Sequence, residues 1–231
     1  MEGQHMREIF EAELKQVGDD LVEMSSLVAQ AIDKAGRALL GSDLALAQEV
    51  IVADQAIDEI ERELDSRCVL LLAQQAPVAT DLRVVVSALR MSATLERMGD
   101  LARHIAQVAR GRYPVVAVPS LVDEFTRMHE AATGVARRVE SLLQTRDLES
   151  AAQIEQNDDV LDELHTGNFA AMLGGEWSGS TQETVDVTLL SRYYERFGDH
   201  GVSIAERVTF LVTGEFSDAA METPTSGTTT H

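Results

Sequence analysis

The chain has 231 residues, 45% of them hydrophobic, which is enough apolar material for one or two cores. Its 19 lysines and arginines against 39 aspartates and glutamates leave a formal net charge of −20. That charge argues against nucleic acid as a partner, since phosphate contacts need a basic surface, and favours cations or basic patches on other proteins.

Helical periodicity runs through the chain: there are four prolines, and no segment sustains β-branched alternation. A first helix is predicted over about 7–40, with Leu14, Val17, Leu21, Met24, Val28, Ile32, Ala35 and Leu39 spaced along one apolar face. GSDL at 41–44 breaks it, and Ser42 or Asp43 can cap a second helix over 43–73. Pro77 precedes a third over 78–111, and Pro114 and Pro119 separate that from a fourth over 120–144. A fifth over 147–173 runs into the glycine-rich GGEWSGS at 174–180, and a sixth spans 181–213. The polar stretch beyond Gly214 is expected to be disordered. Residues 1–5 read as an appended segment or an alternative start upstream of Met6. No run reaches the roughly 18 apolar residues of a membrane span, and the opening MEGQHMREIFE lacks the apolar core of a signal peptide. The single Cys68, in the apolar run RCVLLLA, suits a reducing compartment. A cytoplasmic location is expected.

The chain repeats itself. SDLALAQEVIVADQAIDEI at 42–60 aligns with RDLESAAQIEQNDDVLDEL at 146–164, so that Asp54 and Asp58 recur as Asp158 and Asp162. ERMGD at 96–100 returns as ERFGD at 195–199. The two alignments differ slightly in offset, and the difference falls in the turn between the second and third helix of each unit, where length is cheap. The expected fold class is all-α: six helices as two three-helix repeats, 7–112 and 120–213, followed by a tail at 214–231.

The repeated acids fall into a pattern. Glu96 and Asp100, four apart, share a helix face about 6 Å apart along the axis, as do Asp54/Asp58, Asp158/Asp162 and Glu195/Asp199. In an antiparallel hairpin of the second and third helices, Asp54/Asp100 and Asp58/Glu96 share Pro77 as their midpoint. Asp158/Asp199 and Asp162/Glu195 share a midpoint between Ser178 and Gly179, inside the glycine-rich turn. Both turns are identified without using the acids, so the acids stand at matching heights wherever those faces meet.

Four carboxylates gathered this way repel unless something positive is present. Arg62, Arg103 and Arg192, three or four residues from an acid, could supply it as a solvated face of helix ion pairs worth ~0.3–0.5 kcal/mol each. A hard cation such as Mg²⁺ or Mn²⁺, or iron, is the alternative. Gly99 and Gly198 sit inside predicted helices at a cost of about 1 kcal/mol relative to alanine; they indicate either close packing or room for an ion. His104 and His200 read first as surface residues. A ferritin-like di-iron centre would need Glu-x-x-His on its helices, and that spacing occurs as Glu2–His5, in the opening segment. No phosphate-cradling loop, nucleophile elbow or zinc-type cysteine pattern is present.

PVATDLRVVVSALRMSATLERMGDLARHIA at 77–106, SRYYERFGDHGVSIAERV at 191–208 and the two D-x-x-x-D segments resemble the PhoU family, accessory regulators of bacterial phosphate uptake. The resemblance covers about 7–213, and the arginine-rich usage, with Lys15 and Lys34 the only lysines, is similar to actinobacterial members. It implies two tandem three-helix bundles with pseudo-twofold symmetry and a homodimer. It also implies divalent or trivalent metal ions (Mg, Mn, Fe or Zn) held by Asp54, Asp58, Glu96 and Asp100, and by Asp158, Asp162, Glu195 and Asp199. It further implies a non-catalytic adaptor at the membrane periphery, joining the ATPase subunit of a phosphate ABC transporter to a sensor histidine kinase and restraining phosphate-starvation genes. Tyr194 departs from the family's usual aliphatic residue, and His104 and Ser203 stand where asparagine is common. The competing class is a helical, carboxylate-bridged metalloenzyme such as a phosphatase, which needs an open coordination position and a general acid or base.

Overall fold

The apolar face predicted on the first helix is where the core begins. In the computed structural model, which describes residues 2–75, 77 and 79–214, that face lies on α1 (Glu2–Gly41), and Val17, Leu21, Met24, Val28, Ile32, Ala35 and Leu39 are buried. Forty residues give α1 a length of about 60 Å, enough to reach along its own repeat and the second one.

The predicted breaks are breaks, displaced by a residue or two. α2 (Leu44–Gln75) is capped by Asp43, whose Oδ1 accepts from the Leu46 N–H at 2.9 Å. α3 (Thr80–Arg112) follows the Pro77 turn. A short 3₁₀ turn at Pro119–Leu121 leads into α4 (Val122–Thr145), which ends on Arg146 in the left-handed region (φ 57°) with its N–H on the Leu142 carbonyl. α5 (Glu149–Leu173) and α6 (Thr181–Thr213) complete the chain, α6 being capped by Ser180 at its start and by Gly214, φ 82°, at its end. Residues 215–231, expected to form a disordered tail, lie outside the described residues. No strand occurs among the described residues, and no helix there is long and apolar enough to cross a membrane.

α1, α2 and α3 pack on one another, as do α4, α5 and α6. The two units join where α1 lies on α4 and α3 on α6, so α2 and α5 are the outer helices. One buried apolar cluster runs through both units and their seam. At one end of the seam Arg112, the last residue of α3, grips Asp186 in the second turn of α6 through both carboxylate oxygens, with Nη2–Oδ1 at 2.8 Å. Nearby, Glu183 accepts from the Ser120 N–H at 2.8 Å, fastening the 3₁₀ turn to α6.

Tyr194 is wholly buried against Phe125, its hydroxyl has no hydrogen-bond partner among the described residues, and burial pushes the phenol well above its ordinary range. A buried, unsatisfied hydroxyl is a net cost. Tyr194→Phe is therefore expected to raise stability by about 1 kcal/mol in denaturant titration; a loss of the same size would show that the hydroxyl is satisfied.

Candidate metal centre

The two glycines face the neighbouring outer helix. A β-carbon on Gly99 would lie 2.9 Å from Ile57 Cδ1 and 3.4 Å from Asp54 Oδ1. One on Gly198 would overlap Asp158 Oδ1 and lie 2.8 Å from Leu161 Cδ1. Ile57 and Asp54 correspond to Leu161 and Asp158 in the repeat, so both glycines do the same thing: they let an outer helix close onto α3 or α6 and seat one carboxylate over bare backbone.

That closeness brings the predicted acids into two groups. In the first, Asp54 is 8% exposed and has Asp58 and Asp100 within electrostatic reach, while Glu96 feels Asp100 and Asp58. Arg103 stands between the helices. Its Nε is 2.5 Å from Asp54 Oδ2 on α2, and its Nη2 donates to Asp100 Oδ1 on α3. Arg97 adds a 3.0 Å bond from Nη1 to Asp100 Oδ2 and lies 3.4 Å from Glu96. Burial raises the Asp54 and Glu96 carboxyls above their ordinary range, with Arg103 opposing the rise at Asp54 and Arg97 at Glu96. Arg62, expected to neutralise the Asp58 side chain, instead donates from Nε to the Asp58 backbone carbonyl at 3.0 Å.

The second group has the same four acids and a different counter-charge. Val202 stands where Arg103 stands in the first. Arg192 pairs with Glu195 from an exposed position, and Asp158 has no basic partner among the described residues. Asp158 Oδ1 and Glu195 Oε2 are buried with no hydrogen-bond partner among the described residues. Burial first, then the charges of Asp162 and Asp199, push the Asp158 carboxyl up to about 7. Burial and Asp199 likewise raise Asp162 and Glu195, against the opposing charges of His165 and Arg192. His165, which bonds Ser191 Oγ at 3.0 Å through Nδ1, is the residue that sequence reasoning missed. Its signal was Asp162-x-x-His165, on the same helix face. His104 and His200 do not join the acids: His104 stacks on Tyr193 across the seam, 5.3 Å between ring centres, and His200 is half-buried beside Arg196 and Arg97.

Among the described residues, no three acidic, histidine or cysteine side chains converge into a ready-made coordination shell. The second group nevertheless fits a hard cation by its chemistry: orphaned carboxylate oxygens, an all-oxygen donor set and a deficit of positive charge. The first group does not fit as it stands, because Arg103 already fills the role of the cation.

A pH dependence follows. Between its ordinary value of 3.8 and about 7, Asp158 keeps a proton in the folded chain that the unfolded chain has released. Stability therefore falls as pH rises through that window in metal-free protein. Asp158→Asn should flatten this fall in thermal melts, and an unchanged pH profile would place the carboxyl's titration elsewhere.

Compared with protein families, the description "PhoU domain" matches residues 21–109 and again 125–208. The chain belongs to the PhoU family. Each of the two PhoU segments contains four of the predicted acids and one of the two glycines, Gly99 and Gly198, that seat a carboxylate. The chain is 42% identical over 91% of its length to a protein of Mycobacterium tuberculosis named phosphate-specific transport system accessory protein PhoU homolog 2, all of which it covers. It is 41% identical over 92% of its length to PhoU homolog 1 of Mycobacterium leprae, covering 96% of that protein. The crystal structure of PhoU from Pseudomonas aeruginosa superposes with a TM-score of 0.82 at 30% identity, over 89% of this chain and all of that one. The PhoU structure from Streptococcus pneumoniae, at 24% identity and a TM-score of 0.77, shares the fold over 90% of this chain and 99% of its own.

Proposed function

We propose that the chain is a non-enzymatic, metal-binding regulator of phosphate uptake and phosphate signalling. The observation that carries this reading is the match of both repeats to the PhoU domain, with 42% identity to a relative named as an accessory protein of the phosphate-specific transport system. In this reading it contacts the ATPase subunit of the phosphate ABC transporter and a sensor histidine kinase from the cytoplasmic side, and restrains the phosphate-starvation response while phosphate is plentiful. The net charge of −20 supports arginine- and lysine-rich partner surfaces, with association that slows as salt screens charges beyond about 8–10 Å.

Deleting the gene is expected to switch on phosphate-starvation genes in abundant phosphate, and a version ending at Gly214 to restore control. Affinity capture from membranes should recover the kinase and the ATPase subunit. Silent starvation genes after deletion, or neither partner recovered, would sink the adaptor reading. Phosphomonoester turnover by metal-loaded protein, lost in Asp199→Asn, would favour the phosphatase instead.

A further inference from the structure

The two repeats share their acids and differ in what faces them. Arg103 is roughly three-quarters buried, and it reaches from α3 to both Asp100 on its own helix and Asp54 on α2. It thus occupies the position between the outer helix and its neighbour where a cation held by those carboxylates would bind. Arginine is permanently charged and brings several N–H donors, so it neutralises two carboxylates without a cofactor and is not removed by a change of pH. In the second repeat the equivalent residue, Val202, has neither charge nor donors. Arg192, whose first-repeat equivalent is Ala93, meets Glu195 from the exposed edge and leaves Asp158 Oδ1 and Glu195 Oε2 without a hydrogen-bond partner among the described residues.

We infer that the repeats are chemically unequal: Asp54 and Asp100 are closed by Arg103 into an internal ion-pair latch that takes no metal, and the chain's cation site is the second-repeat group of Asp158, Asp162, Glu195 and Asp199. This rests on the metal-binding reading above and narrows it to one half of the molecule. A single residue then sets the choice, since the guanidinium and the cation compete for the same oxygens. Removing the guanidinium leaves four acids with the shortage of positive charge that the second repeat already has. Placing one on the half-buried side chain at 202 supplies it there.

The test uses the full chain and Mn²⁺, with binding followed by equilibrium dialysis and elemental analysis and folding checked by circular dichroism. Asp199→Asn should weaken Mn²⁺ binding at least tenfold, while Asp100→Asn should leave it within about twofold of the parent. Val202→Arg should weaken binding at least tenfold, and Arg103→Val should add Mn²⁺ sites absent from the parent. If Arg103→Val does not fold, the comparison of Asp100→Asn with Asp199→Asn decides alone. Equal losses in those two variants, or a parent that fills both repeats, would overturn the inequality and leave metal binding standing. A parent that binds no Mn²⁺ in either repeat would overturn the metal-binding reading itself, and this inference with it.

Discussion

Replacing Arg112 with alanine is expected to lower stability by about 3–5 kcal/mol, the usual consequence of stranding a buried charge. Asp186 is the charge in question: its side chain is 3% exposed, and Arg112 is its one salt-bridge partner among the described residues. Gln182 Nε2 stays within 3.2 Å of Asp186 Oδ1 and supplies a neutral bond, which moderates the loss and does not cancel it. The reverse substitution tells the mechanisms apart. Arg112→Met with Asp186→Leu removes both charges together and should cost much less than Arg112→Ala, because a buried pair replaced by apolar groups of similar volume is often tolerated. Denaturant titrations of the single and double variants give the comparison. A single variant within about 1 kcal/mol of the parent would mean that water reaches Asp186 and that the seam is looser than described.

Gly198→Ala is the second large effect, expected to cost about 1–3 kcal/mol even though alanine is the better helix former. The new methyl would overlap Asp158 Oδ1 and press on Leu161, so the carboxylate has to leave its seat and α5 has to move outward. Gly99→Ala should be milder. There the nearest atom is the far end of Ile57 at 2.9 Å, and Asp54 Oδ1, at 3.4 Å, is already at ordinary contact distance. The propensity gain of about 1 kcal/mol can then offset much of the crowding. Thermal unfolding of the two variants side by side, in chelator, checks the order. If Gly99→Ala proved the more damaging, the carboxylate over Gly198 would not be the crowded element.

Helix ends and the repeat were legible in the sequence because they depend on local chemistry and on spacing: Asp43 caps where it stands, and the acids recur at matching intervals. The grouping of the acids was legible too, since a hairpin's register follows from its turn. The arrangement of Arg103 was only half legible. Its position three residues beyond Asp100 showed a partner on its own helix, but reaching Asp54 depends on how α3 is rotated against α2, which spacing does not fix. His165 was missed because the search was for glutamate three residues before histidine, whereas here the acid is Asp162. The seam left no local trace: Arg112 and Asp186 lie 74 residues apart and in different repeats, with nothing in either motif to link them. His104 and His200, read from the sequence as surface residues, are half-buried for the same reason, since the seam is what covers them.

That seam has a head and a tail. Two separate copies of one repeat, joined by a true twofold axis, would have to present every contact twice, once at each end. In the fused chain the counterparts of Arg112 and Asp186 are Leu211 and Ser87, so the ion pair is written at one end alone. The opposite end carries Arg83 over the Phe210 ring and a small apolar cavity bordered by Leu14, Ala88, Leu142 and Leu211. Duplication inside a single chain thus releases the join from self-complementarity, and each end becomes free to acquire its own chemistry. The molecule keeps the outline of a symmetric pair while having a direction that such a pair cannot have.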